Sequence, residues 1–256
     1  MSNGIAILPM YERPELHSVH DRLWYLIRTE LIKEKINAPT SLLKGVKGDD
    51  IWKSKQLLLS QTCGLPFRTN LRDIVTYLAT PVYSIDDCPA GYYRSVFLVN
   101  KKNKGLKVTN FLSKYFACNS FGSQSGYAAP YNHLSEKGEV WFSKTLISGS
   151  HRNSVLQVSN GEADITCIDE LSWEIIKYFD SFSENLIVLE KTVPTPALPY
   201  ITVSESDNSE IIYKCLLQAF DKLNEDEKNL LKIKTVIKLP LSEYFKVPNP
   251  PKLSEK

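Results

Sequence analysis

The sequence has 256 residues, 43% of them hydrophobic, and a formal net charge of +2 at pH 7. A chain of this length buries a sizeable core as one large domain or two lobes, and its interspersed charges form no broad basic face, which argues against a nucleic-acid partner. No apolar run is long enough to span a membrane, and the stretch 1–10 lacks the features of a signal peptide. We therefore expect a globular cytoplasmic protein with no membrane insertion, and a periplasmic one only if the sequence is a processed form.

The first third of the chain alternates strand-like and helix-like segments. Ile5–Leu8 is a short apolar run, and Val19–Ile36 follows it with apolar residues at helical spacing. A second unit is predicted with Lys55–Leu59 as a strand, Ser60–Arg68 as a loop and Asn70–Leu78 as a helix. Such an alternation favours a parallel sheet.

The remaining elements continue this pattern. The aromatic and β-branched run Tyr92–Asn100 predicts a strand that carries the chain to another lobe. Further strands are predicted at Tyr115–Cys118, Val140–Ile147, Ala163–Ile168 and Asn185–Glu190, and helices at Arg152–Ser159, Leu171–Phe179 and Ile211–Leu223. The proline-rich stretch Thr192–Pro199 predicts an extended crossing, and the tail after Leu239 a strap on the surface.

Cysteine and histidine spacing gives no sign of a metal or cofactor site. The five cysteines are widely spaced, odd in number and without a Cys-x-x-Cys pair; they are Cys63, Cys88, Cys118, Cys167 and Cys215. The sequence also has no Gly-x-Gly-x-x-Gly and no P-loop. We expect reduced thiols, no metal and no nucleotide cofactor.

The stretch Asn119–Pro130 is the strongest candidate for a binding site. It follows a buried strand and turns through Ser123, Ser125 and Gly126 into a helix-like segment. Unpaired N–H groups at a helix start, together with glycine that lets a ligand approach the backbone, favour anion binding. The alternative is an ordinary serine cap with no ligand.

Two more strand ends deliver polar groups. His151 follows the strand that ends at Ile147, and Asp169 follows the strand that ends at Ile168. Ligands of open α/β sheets lie beyond the carboxyl ends of the strands, so these side chains are expected near Ser125. Each has a simpler interpretation, since His151 could contact only solvent or a loop, and Asp169 could cap the next helix.

Several short phrases resemble, in order, the phosphonate-binding-protein-like family of substrate-binding proteins. They are Leu8-Pro9-Met10-Tyr11, Ser60-Gln61-Thr62-Cys63-Gly64, Gly91-Tyr92-Tyr93-Arg94-Ser95, Ser123-Gln124-Ser125-Gly126 and Ser148-Gly149-Ser150-His151 followed by Gly161-Glu162-Ala163-Asp164. The resemblance implies a type II periplasmic-binding fold, with two α/β lobes of mixed, mostly parallel sheets flanked by helices. Lobe one is expected at 1–89 plus 194–256 and lobe two at 90–193, with crossings near 92–100 and 190–200.

The resemblance also implies a set of ligand-binding residues. Ser123, Gln124, Ser125 and Gly126 match the family's Ser/Thr-rich turn, His151 matches its Gly-Ser-His histidine, and Asp169 falls near its acidic position. Tyr11, Gln61, Thr62, Cys63 and Tyr93 are the expected partners in the other phrases, although Tyr11 and Tyr93 could instead cover the core and Cys63 could be an apolar filler. The turn reads Ser-Gln-Ser rather than a hydroxyl triplet, and a glutamine amide donates or accepts, so the ligand need not be an oxyanion.

Two classes of function follow. The first is a solute-binding protein that captures a small polar or anionic metabolite, of the phosphate or phosphonate kind, in a cleft between lobes that closes by a hinge, with an ABC permease as partner. The second is a cytosolic biosynthetic enzyme that keeps the same fold and uses His151 and Asp169 as acid and base in a dehydration or elimination. A sensory ligand-binding domain is not separable from the first class.

Overall fold

The chain forms two compact units in a computed structural model, which describes residues 4–46, 48–203 and 206–253. Unit 1 comprises Met1–Asp86, Ala90–Tyr92 and Pro196–Phe245, and unit 2 comprises Asp87–Pro89, Tyr93–Thr195 and Lys246–Lys256. The chain thus passes from one unit to the other after Tyr92 and returns after Thr195.

Strands and helices alternate along the described residues. The strands are β1 (Ile5–Ala6), β2 (Leu57–Gln61), β3 (Val75–Tyr83), β4 (Tyr92–Tyr93), β5 (Ser95–Asn100), β6 (Tyr115–Cys118), β7 (Lys144–Ile147), β8 (Ile165–Asp169), β9 (Leu186–Lys191), β10 (Thr195–Pro196), β11 (Tyr200–Val203) and β12 (Ile233–Ile237). The helices are α1 (His17–Lys33), α2 (Gly48–Ile51), α3 (Gly64–Thr69), α4 (Ala129–Glu136), α5 (His151–Asn160), α6 (Glu170–Phe179), α7 (Ser209–Asp221), α8 (Glu225–Leu231) and α9 (Leu241–Phe245).

Unit 1 is built on a five-stranded sheet of order β1-β2-β11-β3-β12. The helices α1 and α7 pack together, and α7 covers β3 and β12. A second layer of apolar contacts includes Trp52, Phe67, Ile201 and Tyr244. Burial of each such side chain contributes roughly 1.5–3 kcal/mol, so the sheet is held by packing against its helices.

The predicted helix Asn70–Leu78 is wrong, because β3 occupies Val75–Tyr83 and the preceding helix is α3. The apolar residues of this stretch are spaced as in a helix, but they are also rich in β-branched and aromatic types that suit a strand. The strand β3 lies between β11 and β12 and bonds to both, and Leu78 is fully buried there. Hydrogen bonding to a strand on each side therefore outweighs the helical spacing of the apolar residues.

Unit 2 is built on a five-stranded sheet of order β7-β6-β8-β5-β9. The helix α5 packs against β5, β6 and β8. Its apolar residues Val155 and Val158 join a buried cluster with Leu98, Ala117 and Ile168. The predicted strand Tyr92–Asn100 is interrupted at Arg94, and the predicted strand Val140–Ile147 begins only at Lys144.

Both sheets are mixed, but the expectation of mostly parallel pairing is wrong. Parallel neighbours are β1 with β2, β6 with β7 and β6 with β8, whereas the other neighbours within the two five-stranded sheets are antiparallel. The strands β5, β9 and β11 border the crossings and run against their neighbours. Strand direction depends on how the chain returns, which a hydrophobic pattern does not encode.

The C-terminal tail groups with unit 2, although the sequence analysis assigned it to lobe one. Tyr127 Oη donates a hydrogen bond to Pro251 O at 2.7 Å, and Asn132 Nδ2 donates to Pro248 O at 3.0 Å. Proline lacks an N–H group but keeps its carbonyl, and in both of these hydrogen bonds a proline carbonyl is the acceptor. Side chains of unit 2 supply the matching donors.

None of the five cysteines, all of which lie in the described residues, forms a disulfide. Cys118, Cys167 and Cys215 are buried. Desolvation raises the pKa of Cys167 well above its ordinary value and that of Cys215 to about 11. The thiols of Cys167 and Cys215 therefore stay protonated near neutral pH, and the buried cysteines pack as small apolar groups.

Candidate functional site

The turn after β6 is closed by its own serines. Ser123 N donates to Ser120 O at 3.1 Å, and Ser123 Oγ accepts from Gly126 N at 3.0 Å, as an N-cap does. The following residues Gln124–Ala128 form a π-helical turn that runs into α4. Pro130 falls in the first turn of α4, and the carbonyl of Gly126, four residues earlier, accepts from Cys118 Sγ at 3.3 Å instead of from a helical N–H group.

This helical start has the properties of an anion site. The first N–H groups of a helical segment have no acceptor within it and lie at the positive end of its dipole. Ser123, Gln124 and Ser125 are all buried at this point. A bound group here would meet backbone N–H groups and hydroxyls in surroundings with little competing water.

Gly126 permits a close approach of two neighbouring side chains. A Cβ atom at this position would lie 1.9 Å from Asn119 Oδ1 and 3.3 Å from His151 Cε1. Asn119 Oδ1 is buried and has no hydrogen-bond partner in the described part of the chain. Because Gly126 has no side chain, Asn119 and His151 have room to pack directly against the turn.

The loop after β7 places His151 beside this turn. Ser148 N donates to Cys118 O at 2.8 Å, which ties the end of β7 to the end of β6. Ser150 caps α5, because its Oγ accepts from Asn153 N at 3.1 Å. His151 is the first residue of α5, so the cap fixes its direction.

Ser125, His151 and Asp169 meet at one point. Ser125 Oγ and His151 Nε2 are 2.8 Å apart, and His151 Nε2 lies 3.4 Å from Asp169 Oδ2. Asp169 also caps α6, with Oδ1 accepting from Ser172 N and Oδ2 from Ser172 Oγ, both at 2.7 Å. Both interpretations of Asp169 thus hold together: the carboxylate caps a helix and faces the histidine.

Burial lowers the pKa of His151, and the nearby Asp169 carboxylate opposes this only in part. The imidazole is therefore neutral near pH 7. Its Nδ1 atom is buried without a partner among the described residues. A Ser-His-Asp triad needs the acid at the ring nitrogen opposite the serine, but here both groups face Nε2, so the arrangement is not that of an acyl-transfer site.

The predicted residues of unit 1 include Tyr11 and Gln61, which meet through Tyr83. Gln61 Nε2 donates to Tyr83 Oη and to Leu198 O, each at 3.0 Å. The Tyr11 ring packs edge-on against Tyr83 with centroids 5.8 Å apart. Tyr11 has a φ of 62°, which is uncommon for a residue with a side chain, although Lys35, Asp87 and Lys232 share the left-handed conformation.

The other three predicted residues are buried or half-buried. Thr62 is buried and its N–H donates to Pro199 O at 3.0 Å. Cys63 is half-buried at the N-cap position of α3. Tyr93 is 2% exposed in β4.

The structure brings Ser125, His151 and Asp169 together. His151 is in hydrogen-bond contact with Ser125, well inside the roughly 10 Å that a small-ligand pocket spans. Sequence reasoning gave no role to Ser172, to Tyr83 or to the side chain of Asn119. The serine three residues after Asp169 was the available signal for a cap. Ligand contact by these residues, and a cleft shared with unit 1, stay predictions.

The chain has the fold of the periplasmic-binding proteins. The family model for the periplasmic substrate-binding protein of phosphonate ABC transporters matches residues 67–238. The chain belongs to this family and has a solute-binding role. The alternative of a biosynthetic enzyme is not favoured.

Solved structures show the same fold at low sequence identity. PhnD1 from Prochlorococcus marinus, in complex with methylphosphonate, is 18% identical with a TM-score of 0.72, and the match covers 94% of each chain. A binding protein component of an ABC phosphonate transporter from Pseudomonas aeruginosa is 17% identical with a TM-score of 0.69, over 91% of this chain and 81% of that one. A Candida albicans protein with the generic periplasmic-binding fold is 12% identical with a TM-score of 0.62, over 91% and 75%.

No curated protein sequence matches the chain significantly. Across the described residues, no helix combines the length and the apolar character that a membrane crossing requires. The matching family is described as periplasmic, so the expected cytoplasmic location is unconfirmed.

Proposed function

We propose that the chain binds a small phosphonate-like or phosphate-like oxyanion through Ser123, Gln124, Ser125, Gly126 and His151. The observation that carries this proposal is the 2.8 Å contact between Ser125 Oγ and His151 Nε2 at the start of a helical segment. A hydroxyl and backbone N–H groups then converge on one spot, as oxyanion binding requires, and His151 orients the hydroxyl.

Asp169 acts on the ligand through His151 in this proposal. A carboxylate only accepts hydrogen bonds, so its position beside His151 Nε2 favours the tautomer with the proton on that nitrogen. The same Nε2–H group also reaches Ser125 Oγ, which then accepts rather than donates. The Ser125 hydroxyl hydrogen is thereby left to point at a ligand oxygen.

The ligand charge would be met by neutral donors. Ser125, His151 and Asp169 form no hydrogen bond or ion pair with a lysine or arginine of the described residues. Binding should therefore depend only weakly on ionic strength, unlike binding to exposed cations.

The proposal extends to the matched phrases of unit 1, with Tyr11, Gln61, Thr62 and Cys63 as further ligand contacts, and to Tyr93 in β4. The left-handed backbone of Tyr11 supports this, because such a strained conformation persists only where the surrounding structure enforces it, and residues of this kind cluster at ligand-binding sites. Family membership further supports an ABC permease as the partner that receives the ligand outside the cytoplasm.

Titration calorimetry with methylphosphonate, inorganic phosphate and sulfate tests the ligand class. We expect methylphosphonate or phosphate to bind, and Ser125→Ala and His151→Ala each to weaken binding by about 1–3 kcal/mol, the value of one or two hydrogen bonds. Saturating ligand should also raise the melting temperature by mass action.

Ser113→Ala and His17→Ala are the matched controls, because Ser113 is exposed and His17 is half-buried, and the two changes remove the same groups elsewhere. Equal weakening by Ser113→Ala and Ser125→Ala would contradict the assignment of the turn. Tight binding that survives the Ser125→Ala/His151→Ala double change would do the same.

A further inference from the structure

Lysines collect at one end of the unit 2 sheet, where β6 and β7 begin and β5 ends. The binding turn lies at the other end, after β6. We name this set the lysine face, and all of its side chains are exposed; they are Lys101, Lys102, Lys104, Lys107, Lys114 and Lys144.

The sheet topology holds these lysines in one patch. Lys144 on β7 pairs directly with Tyr115 on β6, and Lys114 precedes Tyr115. The end of β5 at Asn100 is two strands away from β6, with β8 between them. Since neighbouring strands lie about 4.8 Å apart, the loop that starts at Lys101 emerges roughly 10 Å from β6.

The positive charge of the lysine face is not neutralised locally. None of its six lysines forms an ion pair with a carboxylate of the described chain. Four acidic residues lie near this end of the sheet, and one of them, Glu190, accepts from Val108 N at 3.2 Å and pairs with Lys137 and His133. The Asp164 carboxylate accepts from Tyr115 N at 3.0 Å and that of Glu162 from Asn160 Nδ2 at 3.2 Å, while Glu184 is exposed. The lysines outnumber these acids, in a chain whose total charge is only +2.

Two exposed apolar side chains lie within the lysine face. Leu106 is 45% exposed in the loop between Lys104 and Lys107, and Tyr115 is 43% exposed. Lys144 Nζ lies 4.9 Å from the centre of the Tyr115 ring. Apolar and aromatic tips among flexible cations are the composition that suits the boundary between lipid headgroups and acyl chains.

We propose that the lysine face binds the surface of an anionic phospholipid bilayer, with Leu106 and Tyr115 entering the headgroup region. Lysines near such a surface are attracted by its negative potential, each raising the partition coefficient roughly fivefold. A nucleic acid would also attract the lysines but would give exposed Leu106 no role. A membrane surface is favoured because it would interact with both the lysines and the exposed Leu106.

Co-sedimentation with vesicles tests the proposal on the full chain. Binding is expected to vesicles of phosphatidylcholine that contain about 30% phosphatidylglycerol, a molar fraction that gives a strongly negative surface. The chain should not bind vesicles of pure phosphatidylcholine. Lys101→Gln/Lys102→Gln/Lys104→Gln should lower the partition coefficient roughly hundredfold, at about fivefold for each lysine. Leu106→Ser should lower it while leaving the salt dependence in place.

The matched control is Lys53→Gln/Lys55→Gln/Lys234→Gln, which removes three exposed lysines from unit 1. Equal loss in this control, or equal binding to the two kinds of vesicle, would overturn the proposal. So would binding of a short DNA duplex that depends on the lysine face when anionic vesicles do not bind.

A salt titration of the unaltered chain gives an independent readout. Vesicle binding should fall steeply between 0.05 and 0.5 M NaCl, a range over which the Debye length shrinks to roughly 4 Å. Retained binding at the higher salt would contradict an electrostatic origin. Methylphosphonate binding should be unchanged in the lysine variants, because the binding turn lies at the opposite end of the sheet, so this proposal and the proposed ligand site fail separately.

Discussion

Gly126→Ala tests the packing on which the binding turn depends. The backbone of Gly126 is helical, so alanine by itself should stabilise this position by about 1 kcal/mol through its higher helix propensity. The new Cβ, however, would stand 1.9 Å from Asn119 Oδ1, where an ordinary contact is about 3.4 Å or more. Relieving such an overlap in a packed site costs about 1–3 kcal/mol.

The two effects have opposite signs, and Asn119 decides which is larger. In the unaltered background we expect Gly126→Ala to destabilise the protein by up to about 2 kcal/mol. In an Asn119→Ala background the contacts at 1.9 and 3.1 Å disappear, and the nearest remaining atom is His151 Cε1 at 3.3 Å. The same change should then stabilise the protein or leave it unaffected.

Urea denaturation of the four proteins in this double-mutant cycle is the measurement. The slope of the unfolding free energy against urea should stay constant, so that midpoint shifts report stability. The coupling free energy between the two positions should be at least about 1 kcal/mol. Equal effects of Gly126→Ala in both backgrounds would refute the contact with Asn119.

Two further predictions follow from buried groups. Burial, with the neighbouring His17, lowers the pKa of His20 to about 4, so the unfolded chain binds more protons than the folded protein between pH 6.5 and 4. The free energy of unfolding should therefore fall by up to about 3 kcal/mol as the pH drops through this window. Urea melts at a series of acidic pH values measure this fall, and His20→Leu should remove most of it. A slope that persists in His20→Leu would assign the acid sensitivity to other groups. Tyr127→Phe removes the hydrogen bond to Pro251 O, worth about 1 kcal/mol, and should speed proteolytic cleavage of the tail after Phe245. Tyr131→Phe is the control, and equal cleavage of the two variants would argue against an anchor at Tyr127.

The conformation of the turn at Ser123–Ala128 could be largely predicted from the sequence. The strand at Tyr115–Cys118, the serine cap and Gly126 follow one another within a dozen residues, and each is encoded by residue types with strong local preferences. The caps at Ser150 and Asp169 are local in the same way. Order along the chain also identified the family, because the phrases recur in a fixed sequence.

The features that could be predicted from the sequence are therefore local: where runs of apolar residues end, and which polar residues follow them. The tertiary structure alone decided that Val75–Tyr83 is a strand, that most strand pairs are antiparallel and that the tail binds Tyr127. The tertiary structure also places Asp169 Oδ2 near His151 Nε2, the same nitrogen that contacts Ser125. Ser125 and His151 are 26 residues apart in the sequence. The physical reason is that period and capping are set by neighbours in sequence, whereas strand direction, pairing on both edges and side-chain contact depend on groups brought together only when the core is packed.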